Sequence, residues 1–316
     1  MHRLASIDLG SNTLRLLIAE PTVSAPLSPI QVERRITRLG EHFLPSRTLQ
    51  VAAMERSIVA LREFVDLMGQ RGVSEYLAGA TAVVREASNG DQFLDMVRER
   101  TGLGVRLLSG SEEAQLSLLG VSSIIPSSET PMAIFDIGGG STELIWKSPQ
   151  EGSAVESLST PVGVVHLTET FLREDPPDSN SCAELRQHVS GILARLTLPA
   201  TLQNTLWVGT AGTVTTLASM HLGLREYDPG LINGTVLKRS WLLEVCNDLA
   251  NMPIAERKKI PGLEPGREDI ILAGALVTLE LMDTFDFSEF TVSDAGLLEG
   301  LFLDLCQTLS AMPGEH

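Results

Sequence analysis

Two glycine-rich stretches of the chain each follow an apolar run that ends in an aspartate. Residues 135–145 read FDIGGGSTELI, and residues 7–13 read IDLGSNT. Glycines remove the Cβ atoms from a turn, so that backbone N–H groups can converge on an anion such as phosphate. The alternative is a tight hairpin turn without a ligand, because glycine turns between strands are common.

The repetition of the stretch favours phosphate binding over an isolated turn. Asp8 and Asp136 are equivalent, and 136 minus 8 places the copies 128 residues apart. In both copies a glycine stands two residues after the aspartate, and hydroxyl residues follow it. We therefore expect a duplicated domain in which the two loops face each other across a cleft.

A third stretch, LWVGTAGTVTTLA at 206–218, again places a glycine turn after a strand and is expected at the same cleft. Its candidate substrate-binding residues are Gly209, Thr210 and Gly212. A pocket of this kind needs a cation to offset its carboxylates. The hard oxygen ligands suited to Mg²⁺, or another divalent cation such as Mn²⁺, are Asp8, Asp136 and Glu143. Alternatively, each carboxylate only caps a turn.

Strand and helix patterns alternate along the chain, which predicts an α/β fold. Strands are expected at 4–8 and 14–19, and a helix ends at Gly72. Residues 266–282 are expected to form a helix with acidic residues near its start.

The length of 316 residues predicts two domains. We expect them at 1–124 and 125–296, with a C-terminal helix, about 297–316, packed back on the first. The boundary near 121–131 is interpreted as a hinge between packed domains, since no low-complexity linker is present.

Composition excludes several classes of protein. The net charge of −16 argues against non-specific nucleic-acid binding. No apolar run of about 18 residues and no signal-peptide core is present, so the expectation is a cytoplasmic protein without a membrane partner. The three cysteines are widely spaced and the six histidines scattered, which indicates neither a disulfide framework nor a zinc site. A homodimer is one candidate oligomeric state.

Taken in order, the motifs resemble those of the exopolyphosphatase and guanosine pentaphosphate phosphohydrolase (Ppx/GppA) family, in its short two-domain form. The resemblance rests on IDLGSNTLRLLIA, ITRLGE, GATAVVREASNG, LSGSEEAQLSLLGV, FDIGGGSTELI, GTAGTVTTLA and PGREDIILAGAL. It implies duplicated actin-like ATPase domains of the ribonuclease-H-like type, with a cleft between them. It also implies the release of terminal phosphate from inorganic polyphosphate, guanosine pentaphosphate being the alternative substrate.

By the same resemblance, Glu113 is the base that activates water, and Glu112 is a helix-start acid or the alternative base. Asp136 holds the metal or orients the water. The residues implied in phosphate binding, including three arginine clamps, are Gly10, Ser11, Asn12, Thr13, Arg15, Thr81, Arg85, Gly138, Gly139, Gly140, Ser141 and Arg267.

The chain departs from the family pattern at Val83, where a serine is common, and at 293–296, which read SDAG. A basic track is a further hypothesis, formed by Arg34, Arg35, Arg38, Lys258, Lys259 and Arg267. Two functions of other classes remain open, a nucleotide-driven kinase or switch of the same superfold and an inactive sensor.

Overall fold

Each of the two repeated hairpins lies inside its own mixed β-sheet. The computed structural model describes residues 2–21, 27–125, 131–147, 154–199, 202 and 205–311. The chain divides into a first unit, residues 1–124 with 295–316, and a second unit, residues 125–294.

The sheet of the first unit has five strands in the order β3-β2-β1-β4-β5. Strands β1 to β3 form an antiparallel meander, and β4 and β5 continue the sheet in parallel with β1. The strands are β1 (Arg3–Leu9), β2 (Thr13–Ala19), β3 (Pro29–Ile36), β4 (Val73–Ala80) and β5 (Val105–Leu107). The two expected strands at 4–8 and 14–19 are confirmed within this meander.

Helices cover both faces of this sheet, which is why β1 and β2 are apolar almost throughout. One face packs against α1 (Val51–Arg71) and α3 (Gly90–Thr101). The other packs against α12 (Leu297–Ala311), which also contacts α4 (Gly110–Ile124). A short helix α2 (Ala82–Arg85) follows β4. Helix α1 ends as expected at Gly72, whose φ of 65° is left-handed.

The second unit repeats this strand order and adds one strand. Its sheet runs β10-β11-β9-β6-β7-β8, with β6 to β8 antiparallel and β9 and β11 parallel to β6. The strands are β6 (Met132–Ile137), β7 (Thr142–Lys147), β8 (Val155–Thr160), β9 (Leu206–Thr210), β10 (Val236–Lys238) and β11 (Glu289–Val292). The helices are α5 (Val164–Phe171), α6 (Ser179–Leu193), α7 (Ala211–Leu222), α8 (Pro229–Ile232), α9 (Arg239–Ala250), α10 (Ile254–Arg257) and α11 (Ile271–Phe285).

The repeated order confirms the expected α/β fold with duplicated domains. In both units an antiparallel hairpin occupies the centre of the sheet and a parallel strand lies beside its first strand. The expectation for residues 266–282 was wrong at its start, because α11 begins only at Ile271 and has no acidic residue in its first turn. The Glu268 carboxylate instead accepts a hydrogen bond from the Gly266 amide at 2.6 Å.

Glycines let α12 approach α4 closely enough for their backbones to touch. A Cβ atom at Gly300 would lie 1.8 Å from the Leu116 carbonyl oxygen, and one at Gly120 would lie 1.9 Å from the Gly296 carbonyl oxygen. Neither glycine has a positive φ, so the requirement is steric. This packing holds α12 against β1.

We expect Gly300→Ala to lower the free energy of unfolding by about 1–3 kcal/mol, since the new methyl group forces two helix backbones apart. Urea denaturation measures the difference. Gly69→Ala is the control, because Gly69 lies in α1 with no atom within 4 Å of an added Cβ. That change is expected to stabilise the protein by roughly 0.5–1 kcal/mol. Equal effects of the two substitutions would contradict the packing argument.

Candidate active site

The two repeated loops close with the same hydrogen bond. The Gly10 amide donates to the Thr13 carbonyl at 3.2 Å, and the Gly138 amide donates to the Ser141 carbonyl at 2.9 Å. The glycine that follows each strand-end aspartate therefore begins an equivalent four-residue turn. The two turns are Gly10, Ser11, Asn12, Thr13 and Gly138, Gly139, Gly140, Ser141.

In the second unit, the start of α5 binds the carbonyl groups of the turn. The Val164 amide donates to the Gly138 carbonyl at 3.1 Å, and the Val165 amide donates to the Gly139 carbonyl at 3.0 Å. Gly163 precedes them, and its α-carbon lies directly against the peptide of Gly139 and Gly140. The glycine turn and the helix thereby satisfy each other's backbone groups.

In the first unit, the residues after β3 bind the turn in the same way. The amides of Thr37 and Arg38 both donate to the Asn12 carbonyl at 3.0 Å, and the Gly40 amide donates to the Ser11 carbonyl at 2.7 Å. In both units the segment after the third strand fixes the carbonyl groups of the hairpin turn.

Asp8 lies in a buried charged cluster of the first unit. It is paired directly across the β1–β2 ladder with Arg15, and Arg15 Nη2 lies 3.6 Å from Glu299 Oε1 of α12. Burial is the largest effect on Asp8 and raises its pKa from 3.8 to about 6; Arg15 lowers the pKa, and Glu299 raises it. The second oxygen of Glu299 accepts a hydrogen bond from the Gly296 amide at 2.8 Å.

One carboxylate oxygen and one amide oxygen near the first turn are buried without a hydrogen-bond partner among the described residues. They are Asp8 Oδ1 and Asn12 Oδ1. A buried acceptor without a donor is costly, and a bound cation would satisfy such oxygens. No group of three or more His, Cys, Asp or Glu side chains among the described residues is arranged to hold a metal ion.

Asp136 and Glu143 are the equivalent pair in the second unit, directly opposite each other in the β6–β7 ladder. Ser159 Oγ donates to Glu143 Oε1 at 2.8 Å. The predicted metal ligands therefore fall into two groups, Asp8 in the first unit and these two carboxylates in the second.

The two adjacent glutamates of α4 have different surroundings. Glu112 forms a capping box with Ser109: its carboxylate accepts from the Ser109 amide at 2.9 Å and the Ser109 hydroxyl at 2.7 Å, and Ser109 Oγ accepts from the Glu112 amide at 3.2 Å. Glu112 also pairs with Arg106. The Arg106 hydrogen bond, followed by those from Ser109, lowers the pKa of Glu112 to about 2.

Glu113 is largely buried and pairs with Arg85, whose Nη1 lies 3.2 Å from Glu113 Oε2. The same Nη1 donates to the Leu108 carbonyl at 2.6 Å, which ties α2 to the loop before α4. Thr81 joins this group, because it precedes α2 and its hydroxyl donates to the Leu9 carbonyl at 3.3 Å, at the end of β1. Val83 of α2 is buried, and its Cγ2 would lie 3.4 Å from a Cβ added at Gly40.

The third stretch forms a strand that runs directly into α7. Thr210 is the residue before α7, and Ala211 has a φ of 66°, which costs a residue with a side chain about 1–2 kcal/mol. Packing requires a glycine at position 209, because a Cβ there would lie 2.6 Å from the Phe135 ring. Gly212 lies under the guanidinium group of Arg267, where a Cβ would be 2.0 Å from Nη2. The structure therefore brings Gly212 and Arg267 together.

Most of the basic residues proposed for a track have nearby carboxylates. Arg35 lies within 2.9 Å of both Glu33 and Glu63. Lys258 Nζ is 3.3 Å from Glu268 Oε1, and Lys259 Nζ is 2.7 Å from Glu256 Oε1. These lysines are exposed, and Arg267, paired with Glu264, is buried.

Sequence reasoning missed Glu299, although it belongs to the Asp8 cluster. The sequence pattern that could have identified it is a single acidic residue within the otherwise apolar stretch GLLEGLF at the start of α12. Of the cysteines, Cys246 and Cys306 are buried and Cys182 is half-buried.

Residues 17–309 match the model of the Ppx/GppA phosphatase family. The chain belongs to this family. Exopolyphosphatase 2 of Mycobacterium tuberculosis is 33% identical over 319 residues, covering 96% of this chain and 99% of that protein. A crystal structure of the Aquifex aeolicus Ppx/GppA family member is 32% identical, with a TM-score of 0.80 over 99% of both chains.

These comparisons confirm the family resemblance and the class of enzyme that it implies, a phosphoric anhydride hydrolase. A crystal structure of an exopolyphosphatase from Cytophaga hutchinsonii, 23% identical, shares the fold with a TM-score of 0.86 over 97% of this chain and 98% of that one. Within the described residues, no helix is long and apolar enough to cross a membrane.

The buried Asp8 predicts a specific pH dependence of stability. The pKa of Asp8 lies higher in the folded protein than its ordinary value of 3.8, so the folded state binds the proton more tightly. The free energy of unfolding therefore falls as pH rises from about 4 to about 6, by on the order of 2–3 kcal/mol for a shift of about two units.

In chelator, we expect Asp8→Asn to stabilise the protein by this order of magnitude at pH 8, because the buried charge is removed, and to have little effect below pH 4. Urea denaturation at both pH values measures it. A variant that is less stable than the wild type at pH 8 would contradict the burial argument and indicate that the Arg15 pair dominates.

Proposed function

We propose that this protein is an exopolyphosphatase that releases terminal orthophosphate from inorganic polyphosphate. The main support for the proposal is the pair of equivalent hairpin turns, whose carbonyl groups accept hydrogen bonds from backbone amides of a segment distant in sequence. The backbone N–H groups of Gly139 and Gly140 donate to no acceptor among the described residues. An anion-binding loop requires such N–H groups. The relatives named exopolyphosphatase support the choice of substrate.

Glu113 is the proposed general base. Its neighbour Glu112 is engaged in the capping box, and a carboxylate with a pKa of about 2 is a weak base. Glu113 is paired with Arg85, whose Nη1 lies 3.2 Å from its Oε2. In the proposed reaction, Glu113 accepts a proton from water as the water oxygen attacks the terminal phosphorus. The bridging P–O bond breaks, and the shortened chain leaves with that oxygen.

The proposed binding groups are backbone amides and hydroxyls from the hairpin turns, with guanidinium groups to offset phosphate charge. Arg85 lies beside the base, and Arg267 lies against Gly212 at the start of α7. Thr81 and Thr210 each precede a helix that follows a parallel strand. The full proposed set consists of the substrate-binding residues predicted from the sequence.

A divalent cation such as Mg²⁺ or Mn²⁺ fits the residues that are present. Asp136 and Glu143 are neighbouring hard-oxygen ligands in the β6–β7 ladder. When bound, such a cation neutralises the charge that develops on the phosphoryl oxygens. The side chains of Asp136 and Glu143 would hold it, with Ser159 orienting Glu143.

Guanosine pentaphosphate is the alternative substrate, because the same groups would bind its terminal phosphate. The test is phosphate release from polyphosphates of defined length, guanosine pentaphosphate and ATP, each with and without Mg²⁺. Release from polyphosphate without a second substrate supports the hydrolase and excludes a kinase. No release from any of them would support a sensor.

Glu113→Gln is expected to reduce kcat by about 10²- to 10⁴-fold with little change in substrate affinity, since it removes the base and preserves the shape of the side chain. Glu112→Gln is the matched control, one residue away, and is expected to retain most activity with a small loss of stability. Steady-state phosphate release measures both. The assignment is wrong if Glu112→Gln is the more damaging change.

We expect Asp136→Asn to raise the Mg²⁺ concentration needed for half-maximal activity, by about tenfold or more, because a neutral amide is a poor ligand for a hard cation. Calorimetric Mg²⁺ titration provides a readout without turnover. Full activity of the wild type in excess chelator would remove the metal from the proposal.

A further inference from the structure

The hydrogen bonds behind the glycine turn determine where its amides point. A trans peptide directs its C=O and N–H groups in opposite directions. The carbonyl groups of Gly138 and Gly139 are directed at the amides that begin α5. The N–H groups of Gly139 and Gly140, which share those peptides, must therefore point away from α5.

The same geometry recurs in the first unit. The Ser11 carbonyl is directed at the Gly40 amide at 2.7 Å. The Asn12 amide belongs to the same peptide and therefore points away from Gly40. In each unit, a segment distant in sequence from the turn thus sets the direction of a donor in the turn.

We propose that the segment 163–165, and its counterpart 37–40 in the first unit, are positioning elements for phosphate binding. They contact the turns rather than the substrate. Their effect is to fix the amide donors before an anion arrives, so that no reorientation of the peptides is needed on binding. This inference rests on the proposed function, in which these amides bind phosphate oxygens.

Gly163 is the critical residue of the segment. A Cβ there would lie 2.4 Å from the Gly139 carbonyl oxygen and 2.2 Å from the Gly140 carbonyl carbon, both of them backbone atoms. The φ of Gly163 is −115°, so the requirement for glycine comes from space and not from conformation. Gly40 is less constrained, since an added Cβ would meet Ser11 Cβ at 3.2 Å.

Gly163→Ala should therefore displace the turn and misdirect its amides. We expect KM for polyphosphate to rise by about tenfold or more, since displacements of about 1 Å in positioning groups can cost 10²-fold. The inhibition constant of inorganic phosphate should rise in parallel. Gly40→Ala should show a smaller change in the same direction. A purely structural defect would instead lower the active fraction, and with it kcat, at unchanged KM.

Gly191→Ala is the matched control in the same unit. Gly191 lies within α6, and an added Cβ would meet nothing within 4 Å. This variant should keep the wild-type KM and kcat. Thermal denaturation of both alanine variants identifies any loss of folded protein.

A second variant removes one hydrogen bond without adding a side chain at Gly163. Val164 is the first residue of α5 and follows a residue with extended backbone, φ −115° and ψ 136°, which is compatible with a following proline. Val164→Pro deletes the donor to the Gly138 carbonyl and should raise KM. Val51→Pro, at the same position of α1 after an extended Gln50, is its control and should leave KM unchanged.

Calorimetric binding of inorganic phosphate to each variant gives a readout that does not depend on turnover. Weaker binding by Gly163→Ala and Val164→Pro than by their controls supports the proposal. Unchanged binding and KM in two folded variants would overturn it. If the wild type released no phosphate from polyphosphate, the proposed function would fail, and the phosphate-binding comparison would still decide the positioning role.

Discussion

The interaction on which the rest of each unit depends is the set of backbone hydrogen bonds that fixes the carbonyl groups of its hairpin turn. A flexible glycine turn would lose affinity in ordering itself around a phosphate group. Here the turn carbonyls accept hydrogen bonds from Val164 and Val165 in one unit, and from Thr37, Arg38 and Gly40 in the other. These hydrogen bonds restrain both turns, although Gly138 to Gly140 are glycines. The three antiparallel strands of each unit keep these donors and acceptors within hydrogen-bonding distance.

The two units share a topology but differ in charge at the equivalent point. Asp8 is paired across its ladder with Arg15, whereas Asp136 is paired across its ladder with Glu143. An arginine opposite the aspartate reduces the local negative charge, and a glutamate increases it. This difference in charge supports the proposal that Asp136 and Glu143 hold the cation. The two turns are therefore similar in backbone hydrogen bonding but differ in the charge opposite the aspartate.

Much of the fold could be predicted from the sequence, because it follows from local patterns. Apolar runs predicted the strands of both hairpins, and the repeated pattern of aspartate and glycine predicted the duplicated domain. The glycine after α1 marked the end of that helix. The start of α11 was placed too early, since Glu268 resembles a helix-start acid in sequence but bonds the Gly266 amide in the turn before the helix.

The candidate site was less predictable where distant segments meet. Glu299 is 291 positions from Asp8, so only the packing of α12 on β1 could associate them. Gly163 belongs to no motif found in the sequence. Its proposed role follows from how closely its backbone approaches that of Gly139 and Gly140. Gly209 resembled a loop glycine but lies within β9, where the Phe135 ring excludes a side chain. The hydrogen bonds between Glu112 and Ser109, on which the proposed choice of Glu113 as the base depends, could not be predicted from the sequence.

The position of α12 has a consequence for the order in which the chain folds during synthesis. The second unit is continuous, so all of its residues have been made once residue 294 has been added. The first unit has its strands β1 to β5 early but lacks α12, which covers Leu4, Leu17 and Ala19, until residues 297–311 have been made. We therefore expect the first unit to mature after the second, with one sheet face uncovered in the interval and available to chaperones.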